Sequence, residues 1–169
     1  TRFPLQAEEW MGRDAGSVAA FKLGNLPVDM LGQADVVLFI RALHNLARFE
    51  EDGGFLTAAL QNAFDVLKPG GLVGVVQHEA REDKSDEFAD GTHGYLKKGF
   101  VIEVMEAAGF EFVAESAVNQ NENDQPGDDD IVWRVPPSLA TSRDNPELRA
   151  EMEAIGESNR MTLIFRKPM

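Results

Sequence analysis

The run Val36-Val37-Leu38-Phe39-Ile40 is apolar at every position. A strand without polar alternation suits the interior of a parallel sheet, where layers cover both faces. Downstream, Leu56, Leu60, Ala63, Phe64 and Leu67 fall at the i, i+4, i+7, i+8, i+11 spacing of one buried helix face. Pro69 forbids continuation of that helix, and Gly70-Gly71 supplies a left-handed stop. Leu72 to Val76 is then a second apolar strand. Strand, helix and strand in this order form a βαβ unit with a right-handed crossover. The chain is thereby constrained to an α/β fold. In open α/β sheets ligands gather beyond the carboxyl ends of the strands. This chain carries Arg41-Ala42-Leu43-His44-Asn45 at one such end and Gln77-His78 at the next.

The remaining pattern extends the sheet. Ser17 to Leu23 reads as a strand ended by Gly24-Asn25-Leu26-Pro27, and Pro4 to Met11 has helical composition. Tyr95 to Ala108 reads as a helix with Val101, Val104, Met105 and Ala108 inward and Gly109 as terminator. Phe110 to Val118 is a further strand. Asn119 to Asp130 is a polar excursion, and Ile131 to Pro137 is too proline-limited for a central strand. Pro146 to Ile155 reads as a helix and Met161 to Arg166 as the last strand. Neither a repeat nor a linker divides the chain, so residues 1–169 are read as one domain.

Charge and composition exclude several classes. The formal net charge of −13 repels phosphate backbones, and Lys97-Lys98 is an isolated basic pair, so no nucleic-acid partner is expected. The apolar runs fall far short of the roughly 20 residues of a membrane helix. With no cysteine, disulfides, thiolate catalysis and cysteine-ligated zinc are excluded together. The compartment stays open, a soluble cytoplasmic setting being favoured.

On this reading His44, His78 and His93 all map to one edge of the sheet. A neutral imidazole is the natural general base near pH 7, and His44 and His78 on adjacent strands are the better pair. Each also has a plainer role: His44 as a packing or turn residue, His93 as a solvent-loop residue. A metal held by the three lacks any local ligand spacing, and none is expected. Arg41 suits bidentate binding of a substrate carboxylate, or an ordinary ion pair with Glu50, Glu51 or Asp52. Asn121, Asn123 and Gln125 alternate as calcium ligands do, but the glycine position and closing glutamate are wrong. Trp133 with Pro136-Pro137 reads either as a lid that excludes water or as an anchor for a long connection. Asp35 begins its strand at the opposite edge and reads as structural.

The stretch from Asp35-Val36-Val37-Leu38 to Leu43-His44-Asn45, then a helix and Leu67-Lys68-Pro69-Gly70-Gly71 before a strand, resembles the second half of a class I S-adenosylmethionine-dependent methyltransferase. Ala107-Ala108-Gly109-Phe110 before a strand and a closing strand fit the same family. Within it the chain is similar to a group of bacterial predicted methyltransferases. The resemblance covers roughly residues 15 to 169. It implies a Rossmann-like methyltransferase sheet, mostly parallel, with a C-terminal antiparallel hairpin strand. It implies S-adenosylmethionine as cofactor, near Asn25, Arg41, Ala42 and Asn45, and a small-molecule acceptor near Arg41, His93, Tyr95 and Trp133. Its catalytic candidates are His44 and His78.

One departure is large. The family's glycine-rich cofactor loop after its first strand is missing, as is the acidic residue ending its second. The strand Val36–Ile40 would have a bare edge without that first strand. The expectation is therefore that an N-terminal portion is missing, or that a partner chain such as a second copy covers the edge. Methyl transfer to a small molecule leads. A non-catalytic relative kept for binding or assembly, and a nucleotide-dependent oxidoreductase, are the rivals.

Overall fold

The computed structural model describes residues 18–169 together with Gln6, Ala7 and Glu9. Strand β1 (Ala34–Ile40) leads through two short helices, α1 (Leu43–Ala47) and α2 (Glu50–Gly53), to α3 (Phe55–Val66). Strand β2 (Leu67–Ala80) follows, then β3 (Leu96–Lys97), α4 (Lys98–Ala107), β4 (Glu111–Ser116), α5 (Pro146–Ile155) and β5 (Arg160–Arg166).

Helix α3 stops where its sequence requires. Lys68 precedes Pro69 and is pushed out of helical geometry, and Leu67 is already extended at φ −74°, ψ 141°. Gly70 takes φ +78°. A Cβ on Gly71 would lie 2.9 Å from the Lys68 carbonyl oxygen, so glycine suits the irregularity in the β1·β2 register that lies inside β2 there. The other end of α3 lacks a side-chain cap on Gly54; Glu50 supplies it, its carboxylate accepting from Leu56 N at 2.6 Å and Thr57 N at 3.2 Å.

The sheet runs β1-β2-β5-β4, with β3 beside the end of β2. Strand β1 is parallel to β2, as is β3, and β5 is antiparallel to both β2 and β4. The expected mixed α/β sheet is present, but its β2-β5-β4 part is paired antiparallel throughout. No tight hairpin makes this; β5 returns after the long segment 117–159 and inserts between two strands that run the same way.

Helices α3 and α4 cover one face. Leu56, Leu60 and Ala63 meet Val101 and Met105 over Val73, Val75, Leu163 and Phe165. The opposite face departs from the expectation of a strand covered on both sides. Val36, Leu38 and Ile40 are 52%, 64% and 51% exposed there, and among the described residues β1 pairs with β2 alone. A second apolar cluster of Phe88, Ala89, Tyr95 and Val132, with Trp133 against it, ties the segments 81–95 and 131–135 together.

Two local expectations are corrected. Residues 18–23 form no strand: Lys22 and Asn25 close a tight turn through Gly24 at φ +77° (Ser17 lies outside the described residues). The helix expected from Tyr95 begins at Lys98, because Tyr95 is wholly buried beside His78 and Leu96-Lys97 pair with Glu79-Ala80. Tertiary burial overrides helical periodicity there. Of Pro4–Met11, Gln6, Ala7 and Glu9 are helical and the rest lies outside the described residues. Among the described residues no helix is long and apolar enough to cross a membrane.

Candidate active site

Where β1 and β2 end and β5 begins, a cavity of about 240 Å³ opens. Arg41 shapes its floor. Its N–H donates to Val76 O at 2.7 Å as the last sheet bond, and its φ of +53° turns the chain abruptly into α1. A left-handed non-glycine residue is costly and marks a position held by its surroundings. The turn delivers His44, 3% exposed, to the cavity wall. Gly91 packs behind it so closely that a Cβ would sit 2.4 Å from the His44 carbonyl oxygen.

Gln77 decides the state of His44. Its amide nitrogen donates to Gly94 O at 3.0 Å and His78 O at 3.2 Å, so its orientation is fixed by two acceptors. Its oxygen then accepts from the His44 backbone N–H at 3.3 Å and faces His44 Nδ1 at 3.1 Å. Nδ1 must carry the proton. The neutral ring therefore keeps its lone pair on Nε2, an assignment that follows from the hydrogen-bond network. Nε2 has no protein partner and is not sealed from solvent, leaving it available to a ligand. Burial lowers the His44 pKa, the Gln77 bond raises it, and the Arg48 and Arg41 charges lower it further. The net direction is down, so the ring is neutral at pH 7.

His78 stands beside it with ring centroids 5.5 Å apart, its Nδ1 2.6 Å from Ser158 Oγ. Burial, then the neighbouring His44, Arg160 and Arg41, push its pKa down to about 3. Trp133 closes the opposite wall, edge-on to His44 at 5.8 Å. A buried ion pair holds the segment that carries it: Arg134 Nη2 lies 2.7 Å from Asp124 Oδ1, and Asp124 also accepts from Asn159 N and the Tyr95 hydroxyl. Arg160, opposite His78 in the β2·β5 register, bonds Glu157 at 2.6 Å while its Nε is buried without a partner.

Of the residues singled out in the sequence, Arg41, His44, Asn45, His78 and Trp133 line this cavity. Asn25, Ala42, His93 and Tyr95 do not. Asn25 closes the turn whose Gly24 N–H bonds Asn62 on α3, and Ala42 serves α1 through its carbonyl. His93 stacks on Phe88 at 5.1 Å, so it does not join the other two histidines, and its carbonyl accepts from Val132. Tyr95 forms the layer behind His78, ring centroids 6.4 Å apart. The anticipated Arg41 pairs with Glu50, Glu51 or Asp52 are not formed; Glu50 caps α3 instead. Asp35 pairs with Lys68 at 2.6 Å on the exposed surface. Asn121 is occupied by Ile155 O and Glu157 O.

Sequence reasoning missed Gln77, Glu157, Ser158 and Arg160. Gln77 was detectable as an amide interrupting an apolar strand. The Glu157-Ser158-Asn159-Arg160 group carries polar residues right before the last strand, but only the β2·β5 register brings it to His78.

No protein-family model matches the sequence, and no curated protein matches it. Solved structures do. The cyclase SpnF is similar with a TM-score of 0.60 at 19% identity, over 98% of this chain and 61% of its own. A 1,6-didemethyltoxoflavin-N1-methyltransferase of Burkholderia thailandensis, solved with that substrate and S-adenosylhomocysteine, gives 0.52 at 13% over 98% and 56%. An S-adenosylmethionine-dependent methyltransferase of Methanosarcina mazei gives 0.53 at 12% over 99% and 77%. The chain has the class I methyltransferase fold. It spans less than two thirds of SpnF and of the toxoflavin enzyme.

Proposed function

We propose that the cavity is the acceptor side of an S-adenosylmethionine-dependent methyltransferase acting on a small molecule. One observation carries this reading: His44 is neutral, fixed by Gln77 as the Nδ1–H tautomer, and open at Nε2. An acceptor O–H or N–H placed at Nε2 gives up its proton there as its heteroatom becomes the nucleophile. The imidazolium that forms keeps its Nδ1–H on the Gln77 oxygen, which stabilises the developing charge. His78, held near pKa 3, is a much weaker base and serves better as a neutral partner of Ser158 and a wall of the cavity. Trp133 and Pro136-Pro137 limit water at the reacting atoms.

The sulfonium of S-adenosylmethionine would supply an electrophilic methyl group. The described residues do not form a cradle for its nucleoside. Strand β1 passes into α1 through Arg41-Ala42 without a glycine turn, and Glu157, the one carboxylate on the cavity among the described residues, is engaged by Arg160. No step is therefore derived through the donor, and of the four residues assigned to it by resemblance only Arg41 and Asn45 stand on the cavity. Calorimetric titration with S-adenosylmethionine and S-adenosylhomocysteine tests the reading. Saturable binding of both supports it; binding of neither overturns the enzyme. SpnF, a cyclase with this fold, supports a second reading in which the cavity binds a ligand without methyl transfer.

A further inference from the structure

We propose that the ligand of the His44 cavity is a small carboxylic acid, its carboxylate held between Arg41 and Arg160. Both arginines line the cavity, Arg41 from just after β1 and Arg160 from the start of β5, and both charges act on the His78 ring. Arg41 has no ion-pair partner among the described residues. Arg160 commits Nη2 to Glu157 and keeps a buried Nε without an acceptor. Among the described residues the only carboxylate on the wall is Glu157, and both histidines are neutral, so that lining carries a net positive charge of about one (two Arg less one Glu). That charge stands out on a chain of net charge −13. A cationic cavity on an acidic surface favours an anion over a neutral or cationic ligand. The planar, forked donors of arginine match a carboxylate.

Shape narrows the class. About 240 Å³ holds a compact molecule, and Trp133 with Pro136-Pro137 offers an apolar wall to its body. A hydroxy acid with an aromatic or short aliphatic frame would place its carboxylate on the arginines and its hydroxyl toward His44 Nε2. This rests on reading the cavity as the acceptor's, but its test does not require methyl transfer.

Acetate, benzoate and 4-hydroxybenzoate are titrated against the protein, each beside its primary amide, by calorimetry and through the Trp133 indole signal in NMR. At least one carboxylate should bind saturably, shift that signal, and outbind its amide by at least about tenfold, the worth of a charge-assisted pair. Arg41→Gln should remove most of that preference at an unchanged melting temperature, because Arg41 is exposed and unpaired. Arg160→Lys should weaken the same ligand by retaining charge without the fork. If no carboxylate outbinds its amide, or Arg41→Gln leaves the preference intact, the proposal fails. Carboxylate binding without S-adenosylmethionine binding would instead sustain it and refute the methyltransferase reading.

Discussion

Asp124→Asn tests how the Trp133 wall is held. Arg134 is 4% exposed in its side chain and Asp124 not at all, so the substitution leaves a guanidinium buried without its main counter-charge. Removing one partner of such a pair costs about 3–5 kcal/mol. Asp130 moderates this, since its carboxylate stays 3.3 Å from Arg134 Nε and is itself half exposed. An asparagine oxygen can still accept from Asn159 N or Tyr95. The expected loss is therefore about 3 kcal/mol, at the lower end of that range. For a chain of this size it lowers the melting temperature by roughly 6–12 °C. Urea unfolding followed by tryptophan fluorescence and circular dichroism measures it. Pairing Asp124→Leu with Arg134→Met should recover at least half of the loss, because an apolar pair no longer buries a lone charge. A loss below about 1 kcal/mol for the single variant would refute the argument that this pair anchors the segment.

Two further outcomes follow from the same site. Gln77→Leu strips partners from His44 N–H, His44 Nδ1 and the Gly94 carbonyl, all buried, and should cost about 3–5 kcal/mol by chemical unfolding. It should also lower the His44 pKa further, since the Gln77 bond raises it. His78 sets an acid limb on stability. Its folded pKa, about 3, lies below its ordinary 6.5, so the unfolded chain gains a proton first as pH falls. The contribution is complete above pH 6.5 and is lost progressively below it, by about 2–3 kcal/mol at pH 4.5. The groups facing the ring are His44, Ser158, Tyr95, Arg160 and Arg41. His78→Gln should flatten that limb; an unchanged slope would remove the role given to burial.

The sheet and the edge that carries the cavity are legible in the sequence because burial patterns are local. Leu56 to Phe64 announces α3, Pro146 announces α5, and Leu-Lys-Pro-Gly-Gly marks the passage into β2. The left-handed turn at Arg41 was not legible, because no glycine marks it. Tyr95 read as helical because its side chain fits a helix stripe, while a contact with His78 17 residues away holds it outside α4. Arg160 and Ser158 reach the site only through pairing of strands about 80 residues apart. His93 stands off the cavity because nearness to a sheet edge in sequence does not say which way a loop turns.

The state of the His44 ring is the point on which the functional reading stands. Nitrogen NMR of the 15N-imidazole, recorded from pH 8 to pH 5, observes it directly. A neutral ring at pH 7 is expected, with the proton on Nδ1 and an unprotonated Nε2, titrating below pH 6.5. A proton on Nε2, or an imidazolium at pH 7, would contradict it.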